Sequence, residues 1–247
     1  MKAHSVADLA IRGMDMRYND VLAELHELAE EGYREFSARL VRSGREVLGV
    51  RMPALRKLAK RIKKEYPGFA EEFFERSATT HEEVLLCGFQ IGRAYEENVR
   101  LLSRLIPFMD SWAQTDCVIT KFAWAPDKER LVRDFAFLLG GGEFERRAFI
   151  ILLMTNCMEE GDFRLIEEYL PRVRFGEYYV DMAAAWLLCE AVIHHPERGD
   201  ALLSAPFVTP SVLSKTRRKI KESYRTGINP CARRALRSDA KSAAFRR

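Results

Sequence analysis

The sequence predicts an all-α fold, an α-α superhelix or solenoid of helical hairpin repeats, and three observations carry that prediction. Apolar residues recur at the three-to-four spacing of a buried helix face along most of the chain. No run of alternating β-branched residues reads as a strand. The helix starts recur at a nearly constant interval. Composition agrees: 247 residues, 47% hydrophobic and 31% charged, with 14 glycines and 9 prolines, excludes disordered, collagen-like and low-complexity chains and leaves enough apolar surface for a large core.

Taken in order, the stretch 53–65 opens on Pro53 and places Leu55, Leu58, Ala59 and Ile62 on one side with bases on the other. A helix over 80–94 follows, then one over 110–121 with Asp110 expected as its N-cap. In 126–139, Pro126 suits the first helical position, Leu131, Phe135 and Leu138 form the buried face, and Gly140-Gly141-Gly142 stops the helix. Further helices are expected over 143–156, 177–195 and 210–225. Starts near Asp110, Glu143, Gly176 and Thr209 lie 33 residues apart, and those at Pro126, Gly161 and Pro196 lie 35 apart. Hairpins of this length build solenoids. With no tetratricopeptide or ankyrin signature present, HEAT-like repeats match best. The second helix of each hairpin, namely 53–65, 80–94, 110–121, 143–156, 177–195 and 210–225, is then expected to line a concave, basic groove. The expected organisation is one repeat domain over 1–225 and a basic segment over 226–247.

The formal net charge of +4 averages two unlike regions. Residues 215–247 hold twelve bases and two acids, while the rest of the chain is net acidic. A second basic stretch, Arg51 to Lys64, has seven bases and no acid. Charge spread in this way suits a polyanion, since phosphate-backbone affinity comes from neutralising several phosphates together. A solvated basic terminus is the plainer alternative. The five cysteines (Cys87, Cys117, Cys157, Cys189, Cys231) are odd in number and widely spaced, so they are expected to be reduced and mostly buried, with no metal site. The N-terminal MKAHSVADLAIRG lacks a signal-type apolar core and no apolar run spans a bilayer, so a cytoplasmic, soluble protein is expected, without a membrane partner.

Three segments hold residues able to do chemistry. Trp112 and Asp116, four apart, share a helix face, and a carboxylate beside an indole suits a cationic transition state. A core tryptophan with a surface aspartate is the competing arrangement. Arg146 and Arg147 open a nearly all-apolar helix, so at least one of them needs a partner or the groove, and pairing of Arg147 with a neighbouring carboxylate is the simpler option. Trp186 follows Ala183-Ala184-Ala185, where either a ligand or a packed helix could approach closely.

Together these segments carry a resemblance. From Gly49-Val50-Arg51-Met52-Pro53-Ala54-Leu55-Arg56-Lys57-Leu58-Ala59-Lys60 through His81-Glu82-Glu83, Asp110-Ser111-Trp112 and Arg146-Arg147 to Trp186-Leu187-Leu188, the chain resembles the AlkD-like DNA alkylation repair proteins, a family of HEAT-like DNA glycosylases. The resemblance implies excision of positively charged N3- or N7-alkylated purines from duplex DNA by hydrolysis of the N-glycosidic bond, with no metal or other cofactor and no dedicated base-flipping pocket. It implies catalytic roles for Asp116, Trp112 and Trp186 and a phosphate contact for Arg147. The flanking DNA contacts are expected from Arg51, Arg56, Lys57 and Lys60 and from Lys215, Arg218, Lys219 and Arg225. Two positions depart from the family pattern: Ala113 stands where relatives commonly have an acid, and Cys189 where they have an arginine. Basic residues of 215–225 are expected to replace that contact. A monomer is expected, and the alternatives to a glycosylase are a catalytically silent DNA binder using the same groove and a protein-interaction scaffold.

Overall fold

A computed structural model of the protein describes residues 16–92, 94–122, 127–223 and 225. The N-terminal MKAHSVADLAIRG, Pro126, Cys231 and the segment 226–247 lie outside the described residues. Among the described residues there are thirteen α-helices and no strand, only two isolated bridges, Ala29 with Val50 and Glu46 with Thr80. The chain divides into two compact units, Met1–Gln114 and Thr115–Arg247.

The first unit holds α1 (Tyr18–Glu27), α2 (Glu31–Val41), α3 (Met52–Glu65), α4 (Phe69–Glu75), α5 (His81–Gly88) and α6 (Tyr95–Leu105). The next helix, α7 (Trp112–Ile119), begins at its end. Helix α5 is buried along its whole length, and α3, α4 and α6 pack against it. It starts sharply because Thr80 and Glu83 form a reciprocal cap: Thr80 Oγ1 accepts from Glu83 N at 3.2 Å, and the Glu83 carboxylate accepts from Thr80 N at 2.8 Å. Helix α3 is as the spacing predicts, with Leu55, Leu58, Ala59 and Ile62 buried, its bases outward and Pro53 in the first turn, where a missing N–H costs nothing. Gly49 just before it has φ 83°, and a Cβ there would meet the Arg34 backbone at 2.6 Å, so only glycine fits.

The second unit holds most of α7, then α8 (Lys128–Phe135), α9 (Glu143–Asn156), α10 (Phe163–Tyr169), α11 (Tyr178–His194), α12 (Pro196–Leu203) and α13 (Pro210–Glu222). Helices α9, α11 and α13 pack one on the next, with α10 and α12 against their sides, which is the packing of a helical repeat. Every residue from Ala148 to Leu153 of α9 is fully buried. Each large side chain there contributes about 1.5–3 kcal/mol of transfer free energy, so this continuous apolar run makes α9 the core helix of its unit.

Several boundaries differ from the sequence expectation for local reasons. The helix expected over 126–139 runs as α over Lys128–Phe135, capped by Asp127, and tightens to 3-10 over Ala136–Gly140, ending on the first of the three glycines. The helix expected over 80–94 ends at Gly88, and α11 begins at Tyr178, two residues after Gly176, which has φ 120°. Asp110 is not the N-cap of α7. Its carboxylate accepts from Ser43 Oγ at 2.7 Å and Gly44 N at 3.0 Å and pairs with Arg45 at 2.9 Å, and Ser111 Oγ accepts from Gln114 N instead. Three donors from another segment, one of them charged, outweigh a single cap bond.

Within each unit several buried and half-buried polar groups bond across one repeat length. Glu82 accepts from Leu48, Gly49 and Val50 N–H groups 34, 33 and 32 residues earlier. Glu167 pairs with Arg198, 31 residues on, and Asp181 accepts from Ser211, 30 residues on. Stacked repeats bring equivalent positions together, so a charge buried in one is satisfied by the next.

Candidate nucleic-acid interface

In the second unit, α7 supplies Asp116 and the first turn of α9 supplies Arg147. Because α9 is apolar almost all round, Arg147 lies largely out of water and forks onto the carboxylate: Nε donates to Asp116 Oδ1 at 2.9 Å and Nη2 to Oδ2 at 2.7 Å. Nη1 donates to the carbonyl of Tyr179 on α11 at 2.8 Å, and Thr115 Oγ1 adds a bond to Asp116 Oδ1 at 3.1 Å. The side chains are 7% and 14% exposed, so Asp116 is not a surface aspartate, and Arg147 has taken the carboxylate partner that the sequence left open. Three of the five guanidinium N–H groups are committed in this way.

Arg146, beside it, is 1% exposed and has a different task. Its Nε donates to the carbonyls of Gly141 and Gly142, Nη1 to that of Arg174 at 2.7 Å, and Nη2 to Glu177 at 2.5 Å. The Glu177 carboxyl is held below the usual carboxylate range by that bond. Arg146 thus ties together the loops before α9 and α11, a role that adjacent arginines in a sequence do not reveal.

Along α11, Tyr179 and Trp186 are seven residues apart, two helical turns or about 10 Å on one face, and Arg147 and Met154 hold the same spacing on α9. Trp186 donates its indole N–H to Glu190 at 3.3 Å, and Glu190 also takes Arg225 at 2.5 Å. Met154, Met158, Glu159, Trp186, Glu190 and His194 line a cavity of about 300 Å³. Cys189 is buried with Val192 and Ile220, and burial pushes its thiol up to about 11, so it is a neutral packing residue. Arg225 is the base that reaches the Trp186 neighbourhood, through Glu190.

On α13, Lys215 pairs with the buried Asp181 at 3.3 Å and lies 5.8 Å from the ring centroid of Tyr178. Arg218 is exposed and paired with Glu222, and Lys219 is half-buried. Sequence reasoning missed Asp181, Glu190 and the exposed Tyr178 at the start of α11. Only Glu190 left a local signal, four residues after Trp186.

In the first unit, Trp112 is half-buried, donates Nε1–H to the Leu40 carbonyl at 3.1 Å and packs against Val41, Val47 and Ala113. Ala113 is buried in that cluster, a place where an acid would lose its hydration. On and before α3, Arg51 pairs with Glu30 at 2.9 Å and lies over the Tyr33 ring, and Arg56 lies over the Phe89 ring at 5.2 Å. Lys57 and Lys60 are exposed and have no carboxylate partner among the described residues. Buried His81 shares Nδ1 with Gln114 Nε2 at 3.1 Å, and burial holds its pKa below the ordinary value despite the carboxylates of Glu82 and Asp110.

The structure therefore brings Asp116 and Arg147 together, sets Trp186 two turns from Tyr179 on α11, and turns the bases of α3 and Arg218 of α13 outward, while Lys215 faces the buried Asp181. Among the described residues no group of three or more His, Cys, Asp and Glu could hold a metal ion, and no helix is long and apolar enough to cross a membrane. Cys87, Cys157 and Cys189 are free and buried, and Cys117 is half-buried.

A search of curated proteins finds no match. The family described as DNA alkylation repair enzyme matches residues 21–226, which include α2 to α13, the Asp116–Arg147 pair and the basic helices α3 and α13. The chain belongs to the DNA alkylation repair enzyme family.

Proposed function

We propose that this protein is a DNA glycosylase that removes positively charged N3- or N7-alkylated purines from duplex DNA. The observation that carries the proposal is the fixed, partly exposed Asp116 carboxylate in a chain of this family. An alkylated purine cation is already a good leaving group, so the enzyme need not protonate it. Its departure leaves positive charge on the deoxyribose, and the useful protein group is a carboxylate near C1′ that stabilises that charge and orients water. Arg147 fixes the plane of the carboxylate by two bonds; Thr115 takes the second acceptor site of Oδ1, and Oδ2 keeps further acceptor capacity. The pair is close to neutral as a unit, so its help is that of an oriented dipole as well as of a charge. The two uncommitted N–H groups of Arg147 are the ones available to a phosphate oxygen. Trp112 and Trp186 supply apolar faces for the sugar and backbone of the lesion nucleotide, and Arg51, Arg56, Lys57, Lys60, Lys215, Arg218, Lys219 and Arg225 supply cations for the flanking phosphates. The working form is a monomer in the cytoplasm.

The test is incubation with methylated duplex DNA and chromatography for free 7-methylguanine and 3-methyladenine. Release by the wild type and a loss of about 10²–10³ in rate for a folded Asp116→Asn is the expected result. Release by Asp116→Asn at the wild-type rate overturns the assigned role. One observation favours a second reading, a silent DNA binder: Arg147 is committed inside the protein by three bonds. Salt-sensitive duplex binding without any base release selects that reading.

A further inference from the structure

Helix α2 carries an apolar ridge that its neighbours leave in water. Gly32, Phe36 and Leu40 stand four apart along it, which sets them on one side of the helix. Phe36 is 56% exposed and Leu40 49%, and a Cβ added at Gly32 would meet nothing within 4 Å among the described residues. We propose that this ridge is a self-association surface, on which a second copy of the chain lays the same helix antiparallel.

Charge and shape select that occupant. The acids Glu31 and Glu35 lie in the first half of the helix, where Arg34 is taken by Glu31 at 2.6 Å, and Arg39 lies in the second half with Arg42 exposed just beyond. A copy running the other way therefore sets acid against base at both ends. About a twofold axis near Phe36 the two phenyl rings meet, and Leu40 of each copy enters the open space at Gly32 of the other. Ridges of this spacing interdigitate readily. Glu35 of one copy then faces Arg39 of the other. Within one chain these two are 3.6 Å apart with both side chains mostly in water, a loose pair that an intermolecular one can replace. A partner of uniform charge would match one half of the helix and oppose the other. Three turns of helix bury less than the roughly 800 Å² per partner of a standard interface, so the pair is weak, with a Kd of about 10–100 µM.

Trp112 links this surface to function. Its indole N–H donates to the Leu40 carbonyl at 3.1 Å, so a second copy seated on Leu40 covers the approach to that ring. The pair is the DNA-free form, and DNA that uses the Trp112 face returns the chain to the monomer. This consequence rests on the DNA-binding reading; the self-association does not.

Sedimentation equilibrium of the full chain over a concentration series tests both. The expected result is a 28.5 kDa monomer that passes to twice that mass as concentration rises. Phe36→Ser, an exposed change that leaves urea unfolding as in the wild type, weakens the association at least about tenfold. Glu35→Arg and Arg39→Glu each weaken it as well, because each sets like charges opposite at both symmetry-related contacts. An equimolar mixture of these two variants regains it, since each supplies the charge the other lacks while the pair within each chain stays broken. A monomer at millimolar concentration, association untouched by Phe36→Ser, or a mixture no tighter than its components overturns the proposal. Addition of a short DNA duplex is expected to leave single chains on the DNA. Two chains held together on the duplex overturn the exclusion at Trp112 and uphold the surface. No duplex binding by either the wild type or Phe36→Ser sinks the DNA-binding reading and leaves the surface standing.

Discussion

Helices α3 and α9 use the same residue types in opposite ways. Around α3 the bases sit outward: Arg51 is loosely held by Glu30, Arg56 rests on Phe89, and Lys57 and Lys60 have no acid partner among the described residues. On α9, Arg146 and Arg147 are buried and spend their donors on carbonyls and carboxylates. The hydrophobic pattern explains the difference. Helix α3 has one apolar face and a free polar one, whereas α9 is apolar all round, so any charge on it must be satisfied internally or not exist. Exposed cations on one helix supply affinity for a polyanion, and enclosed cations on the other supply architecture and hold a carboxylate in place.

The sharpest way to break this contrast is Arg146→Ala. It empties a fully buried site and removes the side-chain bonds to the Gly141 and Arg174 carbonyls, and is expected to cost about 3–5 kcal/mol of unfolding free energy in a urea titration. A loss within about 0.5 kcal/mol, the size typical of a surface change, would put Arg146 with the α3 bases. Arg147→Met is expected to destabilise by a similar amount because it strands Asp116. The double change Arg147→Met with Asp116→Leu recovers much of the stability and none of the base release. Recovery of stability together with activity would show that the pair is structural alone.

On the α3 side, the double variant Lys57→Ala, Lys60→Ala is expected to unfold as the wild type does. The slope of log affinity against log salt for duplex DNA should fall by about 0.9 for each phosphate contact removed. An unchanged slope would take these lysines out of the interface. The smallest effect concerns His81. Its pKa is below 6.5 in the folded chain, so as pH falls the unfolded chain binds the proton first. Stability should be full above pH 6.5 and decline below it, by at most about 1.4 kcal/mol per pH unit, and His81→Gln should flatten that part of the pH profile.

Much of this contrast was legible in the residues themselves. Pro53 with Leu55, Leu58, Ala59 and Ile62 announces α3, its buried face and its outward bases, because period and charge are local properties. The repeat interval was visible too, since each hairpin needs a similar length of chain, and helix 143–156 was placed at its observed bounds. Asp110 was misjudged as a cap because its partners, Ser43, Gly44 and Arg45, are far away in sequence. Asp181 and Glu190 show little in the sequence because their charged partners, Lys215 and Arg225, come from α13 and just beyond it.

The sequence by itself determined that the chain is helical and repeating, where its positive charge is concentrated, and through its motifs the family to which it belongs. Tertiary structure alone decided which of two adjacent arginines ties the loops and which holds Asp116. It also decided that Cys189 is inert packing, and that a cavity opens between two methionines and Trp186. The physical reason is that propensity and periodicity act within a few residues. Satisfaction of a buried charge depends on donors one repeat away, and those meet only when the helices have stacked.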